Sequence, residues 1–236
     1  DTIIDLITLA DTKKSKLKEH KVVIQRRTEA NCGTTTVHGF ITDGQFIQAE
    51  SLKTRQIEFI GDSYTCGYGV DSPCRMDKFS DETENASRTY ASIVSRYFNA
   101  DYMTIAHSGR GICRNAGSNI PWEVMTALYQ YTIDRDSSTR WSVEQSAFRP
   151  DITVIYLGTN DFSCNEQPLE INFRNNYIAM LQRIRLNYGE DIPILCMGSP
   201  ANPYLYDYIR NAVVVSGLKK VAYMAVSNLA HNYEDD

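Results

Sequence analysis

The chain has 236 residues, of which 42% are hydrophobic and 22% charged, and its formal net charge is −5. That composition excludes a wholly disordered chain, and the acidic balance excludes the basic surface that nucleic-acid partners require. No apolar run reaches the ~20 residues of a helical membrane span, so no membrane partner is expected.

The first nineteen residues, with KKSKLKEHK, read as a solvated connector or a damaged helix. From HKVVIQRRTE to GTTTVHGFITDGQFIQAE, Val, Ile, Thr and Phe alternate with polar residues, broken at Gly33, Gly39 and Asp43-Gly44. This is strand-and-hairpin patterning, so 1–52 is expected to be the remnant of a β-sandwich too short to close by itself. From 53 to 236 the texture changes. IEFI (57–60), DYMTIA (101–106), ITVIYLG (152–158), IPILCMG (192–198) and VAYMAVS (221–227) are near-continuous apolar runs, as strands covered on both faces should be. Between them Tyr90, Ile93, Val94, Tyr97 and Phe98 mark one helical stripe. Phe173, Tyr177, Leu181, Ile184 and Tyr188 mark a second, ended by Gly189, and Tyr204 to Val215 is a third helix. The alternation predicts a parallel five-stranded sheet in a three-layer, flavodoxin-like α/β fold.

The six cysteines (Cys32, Cys66, Cys74, Cys113, Cys164, Cys196) show no CxxC pair and no histidine at zinc-like spacing, so no metal is expected. Buried free thiols and a single Cys66–Cys74 disulfide are both open readings.

Parallel α/β sheets bind ligands at the carboxyl ends of their strands. The first strand is followed by Gly61-Asp62-Ser63, the second by His107-Ser108-Gly109-Arg110-Gly111, and the third by Gly158-Thr159-Asn160-Asp161. A hydroxyl, a glycine turn and a carboxamide therefore arrive at one sheet edge. Acyl transfer needs these groups: a nucleophile, Ser63, and hydrogen-bond donors for the oxyanion. The donors would be the N–H groups of Ser63 and Gly109 and the Asn160 side chain. Asp62 and Asp161 are expected to hold their turns rather than to react. Gly67, Gly69, Gly109 and Gly111 satisfy neither G-x-G-x-x-G nor G-x-S-x-G, and no Walker lysine follows them. Tyr64, Tyr68 and Trp141 are candidates for a platform on which sugar rings stack.

In Ile57-Glu58-Phe59-Ile60-Gly61-Asp62-Ser63, in Gly109 of HSGRG and in Gly158-Thr159-Asn160-Asp161, the chain resembles the SGNH (GDSL-like) hydrolase superfamily over roughly 55–236. Arg27-Thr28-Glu29-Ala30, Gly39-Phe40 and Arg55 through Gly69 look like carbohydrate esterase family two, as do Trp141 before Pro150-Asp151 and Asn160-Asp161-Phe162-Ser163. That resemblance implies an N-terminal jelly-roll joined to an SGNH domain. It also implies a serine esterase without metal or cofactor that removes acetyl groups from xylan or glucomannan, secreted or at the cell envelope. A lipase- or thioesterase-like SGNH activity and a carbohydrate-binding protein with a dead site are the alternatives. The family's base is a histidine in a late Asp-x-x-His segment. Here the sequence runs to His231-Asn232-Tyr233-Glu234-Asp235-Asp236 without one, so truncation at both ends is expected. Of the histidines present, His231 is the candidate base. His107 is expected to line the pocket, and His20 and His38 to serve surface or packing roles.

Overall fold

Runs of Ile, Val, Tyr and Phe become five strands: β1 (Gln56–Gly61), β2 (Asp101–Ala106), β3 (Ile152–Tyr156), β4 (Ile194–Gly198) and β5 (Val221–Ala225). The computed structural model describes residues 21–42, 44–48, 52–74, 76–118, 121–164, 166–199 and 202–226. Neighbouring strands are all parallel, in the order β2-β1-β3-β4-β5. The chain leaves β1 toward β2 and returns to β3 on the other side. The crevice at the carboxyl ends of β1 and β3 is thus the topological switch point, where such sheets hold ligands.

Five α-helices are described: α1 (Ser63–Cys66), α2 (Tyr90–Tyr97), α3 (Met125–Leu128), α4 (Glu170–Tyr188) and α5 (Leu205–Ser216). On one face of the sheet, Ile60, Ile155, Ile194 and Cys196 pack with α4 and α5. On the other, Phe59 and Val154 meet Ala91 of α2. The three expected layers form, and the stripe on α4 is buried from Phe173 to Ile184.

The α2 stripe is met in part, with Tyr90 and Val94 packed against the Phe59 cluster. Ala91, Ser92 and Ser95 face inward, whereas Ile93, Tyr97 and Phe98 are exposed. Small residues let this helix approach the sheet closely. Its serine hydroxyls donate to backbone carbonyls nearby, Ser92 to Ser87 and Thr89, and Ser95 to Ala91, so they tolerate burial.

The described residues of 21–48 form no strand, and among them a 3₁₀ turn at Ala30–Cys32 is the regular element. Ile24, Val37, Phe40, Ile41 and Ile47 are exposed. Alternation supplies a strand pattern, but a ladder needs a partner, and none is present among the described residues. Asp43 of the expected Asp43-Gly44 turn, residues 1–20 and His231 lie outside the described residues. This stretch is anchored at Arg27–Cys32 instead. The Arg27 carbonyl accepts from Ala86 N at 3.0 Å, and the Arg27 guanidinium reaches Asp71 and the carbonyls of Glu82 and Glu84.

All six cysteines are free thiols, so no Cys66–Cys74 bridge forms; Cys66 is buried and Cys74 exposed. No described helix is long and apolar enough to cross a membrane. The "apolar" first strand also carries a fully buried carboxylate, Glu58. It accepts hydrogen bonds from Tyr188 at 2.8 Å, Thr153 at 2.9 Å and Tyr129 at 3.0 Å, and burial raises its pKa. Three hydroxyls satisfy what would otherwise be a costly buried acid.

Candidate active site

β1 ends at Gly61 because α1 packs directly upon it: a Cβ there would lie 1.9 Å from Thr65 Oγ1. Asp62 then caps α1, its carboxylate accepting Tyr64 N–H at 3.2 Å. Ser63 is the first residue of that helix and half-buried. The N–H of a first helical residue has no acceptor within the helix, so it can serve an incoming oxyanion. After β2, Gly109 adopts φ +77°, a left-handed turn that a side chain would strain, and its carbonyl accepts from Ala116 N at 2.8 Å.

The turn after β3 is tied to both. Asn160 Nδ2 donates to the Arg110 carbonyl at 2.9 Å and stands 3.3 Å from Asp62 Oδ2. Asp161, fully buried, accepts three backbone N–H bonds from the β2 loop: Ile112 at 2.8 Å, Cys113 at 2.8 Å and Arg114 at 3.0 Å. Asp62 thus holds its own turn, whereas the Asp161 carboxylate holds the neighbouring β2 loop. Burial raises the Asp161 pKa, against the pull of those N–H groups.

Burial also pushes Asp62 up to about 7 from its ordinary 3.8, opposed by the Tyr64 N–H and aided by the charge of Asp161. The folded state therefore keeps a proton that the unfolded chain loses near pH 4. Between about pH 4 and pH 7 the native state binds more protons, so this stabilisation is complete below that window and is lost as pH rises through it. Asp62→Asn should flatten the fall in unfolding free energy across pH 4–7 by up to about 4 kcal/mol relative to wild type, read by urea titration at each pH. Parallel pH profiles for the two proteins would refute it.

Tyr64 is half-exposed and stacks on Tyr156 at the end of β3, with ring centroids 5.4 Å apart. Tyr68, also half-exposed, stacks on Phe79 at 3.7 Å. Trp141 is not brought to them. It packs edge-on against Tyr188, the last residue of α4. A crossover helix runs back along the sheet, so that end lies toward the amino ends of the strands, opposite Ser63.

His107 is buried after β2, with Nδ1 2.9 Å from the Ser108 carbonyl and 3.5 Å from Glu29 Oε2. Its Nε2 lies 3.3 Å from Asp134 Oδ2, outside hydrogen-bonding geometry. It lines a cavity of about 270 Å³ together with Asp134, Tyr131, Leu128 and Trp141. Its ring nitrogens thus face Ser108, Glu29 and Asp134. The sequence assigned no role to Glu29, whose Oε2 accepts Ser108 N–H at 2.7 Å and so steadies the residue before Gly109. Its signal is present in RRTE, an acid beside two arginines, but nothing local says that this acid would be buried.

Residues 59–222 match the model of the GDSL-like Lipase/Acylhydrolase family, and the chain belongs to that family. Among curated proteins it is 36% identical over 180 residues to cellulase/esterase CelE of Acetivibrio thermocellus, covering 76% of this chain and 22% of that protein. It is 31% identical over 207 residues to an acetylxylan esterase/glucomannan deacetylase of Cellvibrio japonicus, covering 83% of this chain and 57% of that protein. The chain thus spans a fifth to three-fifths of the length of these relatives. Among solved structures it superposes on a family two carbohydrate esterase from Clostridium thermocellum in complex with cellohexaose. The TM-score is 0.68 at 33% identity, over 78% of this chain and 57% of that one.

Proposed function

We propose that this chain is a serine esterase that removes acetyl groups from acetylated plant polysaccharide or oligosaccharide, of the acetylxylan or glucomannan type. The observation that carries the reading is the Asn160 carboxamide. It bonds the residue after Gly109 and faces the residue before Ser63, so three loops of different strands converge on one point. Family membership and the names of the relatives support the chemistry. A polymer of this size stays outside the cell, so a secreted or envelope-bound protein fits the substrate.

In this reading Ser63 Oγ attacks the acetyl carbonyl as its proton passes to a histidine base. His107 faces other groups. The resemblance to family two carbohydrate esterases implies a histidine of a late Asp-x-x-His segment as the base, and His231 is the candidate among the histidines of this sequence. The N–H groups of Ser63 and Gly109 and one Asn160 amide hydrogen hold the oxyanion. The second amide hydrogen stays on the Arg110 carbonyl, while the long 3.3 Å contact to Asp62 is the one that yields. Water then releases acetate, and the base returns the proton. Tyr64 and Tyr68 offer flat, half-exposed rings beside the site for the sugar.

The test is acetate release from acetylated xylan and glucomannan. Asn160→Ala should lower kcat by about 10²–10³ with KM little changed. A loss confined to KM would remove Asn160 from the oxyanion site. Cello-oligosaccharide binding without Ser63-dependent acetate release would replace the esterase reading with a carbohydrate-binding one.

A further inference from the structure

Behind the Ser108–Gly109 turn, three separate segments contribute Glu29, Cys66 and Glu84. Glu29 comes from the docked upstream stretch, Cys66 from the end of α1, and Glu84 from the residue after the Asp81–Thr83 turn. One oxygen or sulfur atom from each lies within 4.8 Å of the other two. Cys66 Sγ is 3.6 Å from Glu29 Oε2, and Cys32 Sγ, at the rim, is 3.7 Å from Glu84 Oε2. The Glu29 side chain is 4% exposed, and Cys66 and Glu84 are 5% and 0% exposed.

Two carboxylates and a thiol held this close and out of water repel one another when charged. The basic side chain that the described residues set beside either carboxylate is His107, with Nδ1 3.5 Å from Glu29 Oε2, an ion pair only when the imidazole is protonated. The nearby Arg27 guanidinium is taken up by Asp71 and by the Glu82 and Glu84 carbonyls. Independently, the buried Glu84 Oε1 has no hydrogen-bond partner among the described residues. Its Oε2 accepts Glu29 N–H at 3.0 Å, whereas a buried Oε1 without a protein donor is an acceptor that a cation or a water can take up.

We propose that Glu29, Cys66 and Glu84 bind one thiophilic divalent cation of the zinc class, with water or Cys32 in the fourth position. A thiolate ligand disfavours magnesium and calcium, whereas carboxylate and thiolate both suit zinc in tetrahedral geometry. Binding forms one metal–sulfur and two metal–oxygen bonds and releases the Cys66 proton to solvent. Burial, followed by the Glu29 and Glu84 charges, pushes that thiol up, and a dication reverses the balance. The ion would clamp the upstream segment onto the helix that begins at Ser63. Ligands at 29, 66 and 84 share no short spacing, which is why no sequence motif reveals them.

The test is titration of the whole chain, reduced and freed of metal by chelator dialysis, with Co²⁺ and then Zn²⁺. About one equivalent of Co²⁺ should give a near-ultraviolet thiolate charge-transfer band, displaced by Zn²⁺, and saturating Zn²⁺ should raise Tm by about 5 °C. Cys66→Ser should lose the band, and Glu84→Gln should weaken Co²⁺ binding roughly tenfold or more. Cys74→Ser, which removes an exposed thiol outside the cluster, should keep both responses. A wild type without the band, a band that survives Cys66→Ser, or a band lost in Cys74→Ser overturns the site. If Cys66→Ser does not fold, Glu84→Gln decides, and unchanged Co²⁺ affinity in that variant refutes the proposal.

Discussion

Ser63→Ala should reduce kcat for p-nitrophenyl acetate about 10³-fold or more, leaving what the remaining donors achieve unaided. The variant should fold normally, because the half-buried hydroxyl is not the element that holds α1 in place. That task falls to the Asp62 cap and to Thr65, whose hydroxyl lies 2.9 Å from Tyr90 OH. Circular dichroism and Tm close to wild type, together with lost turnover, would assign the loss to chemistry. A well-folded Ser63→Ala protein with wild-type turnover would move the nucleophile elsewhere and end the serine-esterase reading.

The second large effect is on stability. Asp161→Ala removes the acceptor of three backbone N–H groups at once, that of Ile112 buried and those of Cys113 and Arg114 partly buried. Each unsatisfied donor costs roughly 1–3 kcal/mol, so a loss of about 3–5 kcal/mol is expected, with Tm lower by about 10 °C or more. Asp161→Asn keeps one acceptor oxygen and should fall in between. Because Asp161 fixes the β2 loop against the β3 loop, the surviving folded fraction should also turn over slowly. A urea midpoint within 1 kcal/mol of wild type would show that the loop is held by something else.

Strand and helix positions were largely legible in the sequence. Strands buried on both faces are continuous apolar runs, and DYMTIA became β2 without a shift. The convergence of the Gly61, Gly109 and Asn160 loops followed from the parallel-sheet rule alone. What stayed hidden depended on partners distant in sequence. Glu58 lies inside a strand that reads as apolar, and its three hydroxyl partners come from positions 129, 153 and 188. Of the α2 stripe Tyr90 and Val94 pack inward, but Ala91 and two serines are buried where Ile93, Tyr97 and Phe98 were expected. The upstream β-pattern met no partner strand among the described residues. Trp141 looked like a sugar platform by residue type, yet its position is set by Tyr188.

The joining of Asn160 to Asp62 spans 98 positions, and its bond to Arg110 spans 50. In the folded chain both contacts sit beyond the β1–β3 pairing, and each closes a long loop at an entropic cost, so they are expected to form with that pairing rather than before it. The site is therefore an endpoint of folding: helical signal can return while its three loops are still strangers. In refolding, recovered turnover reports completion of the sheet rather than collapse of the chain.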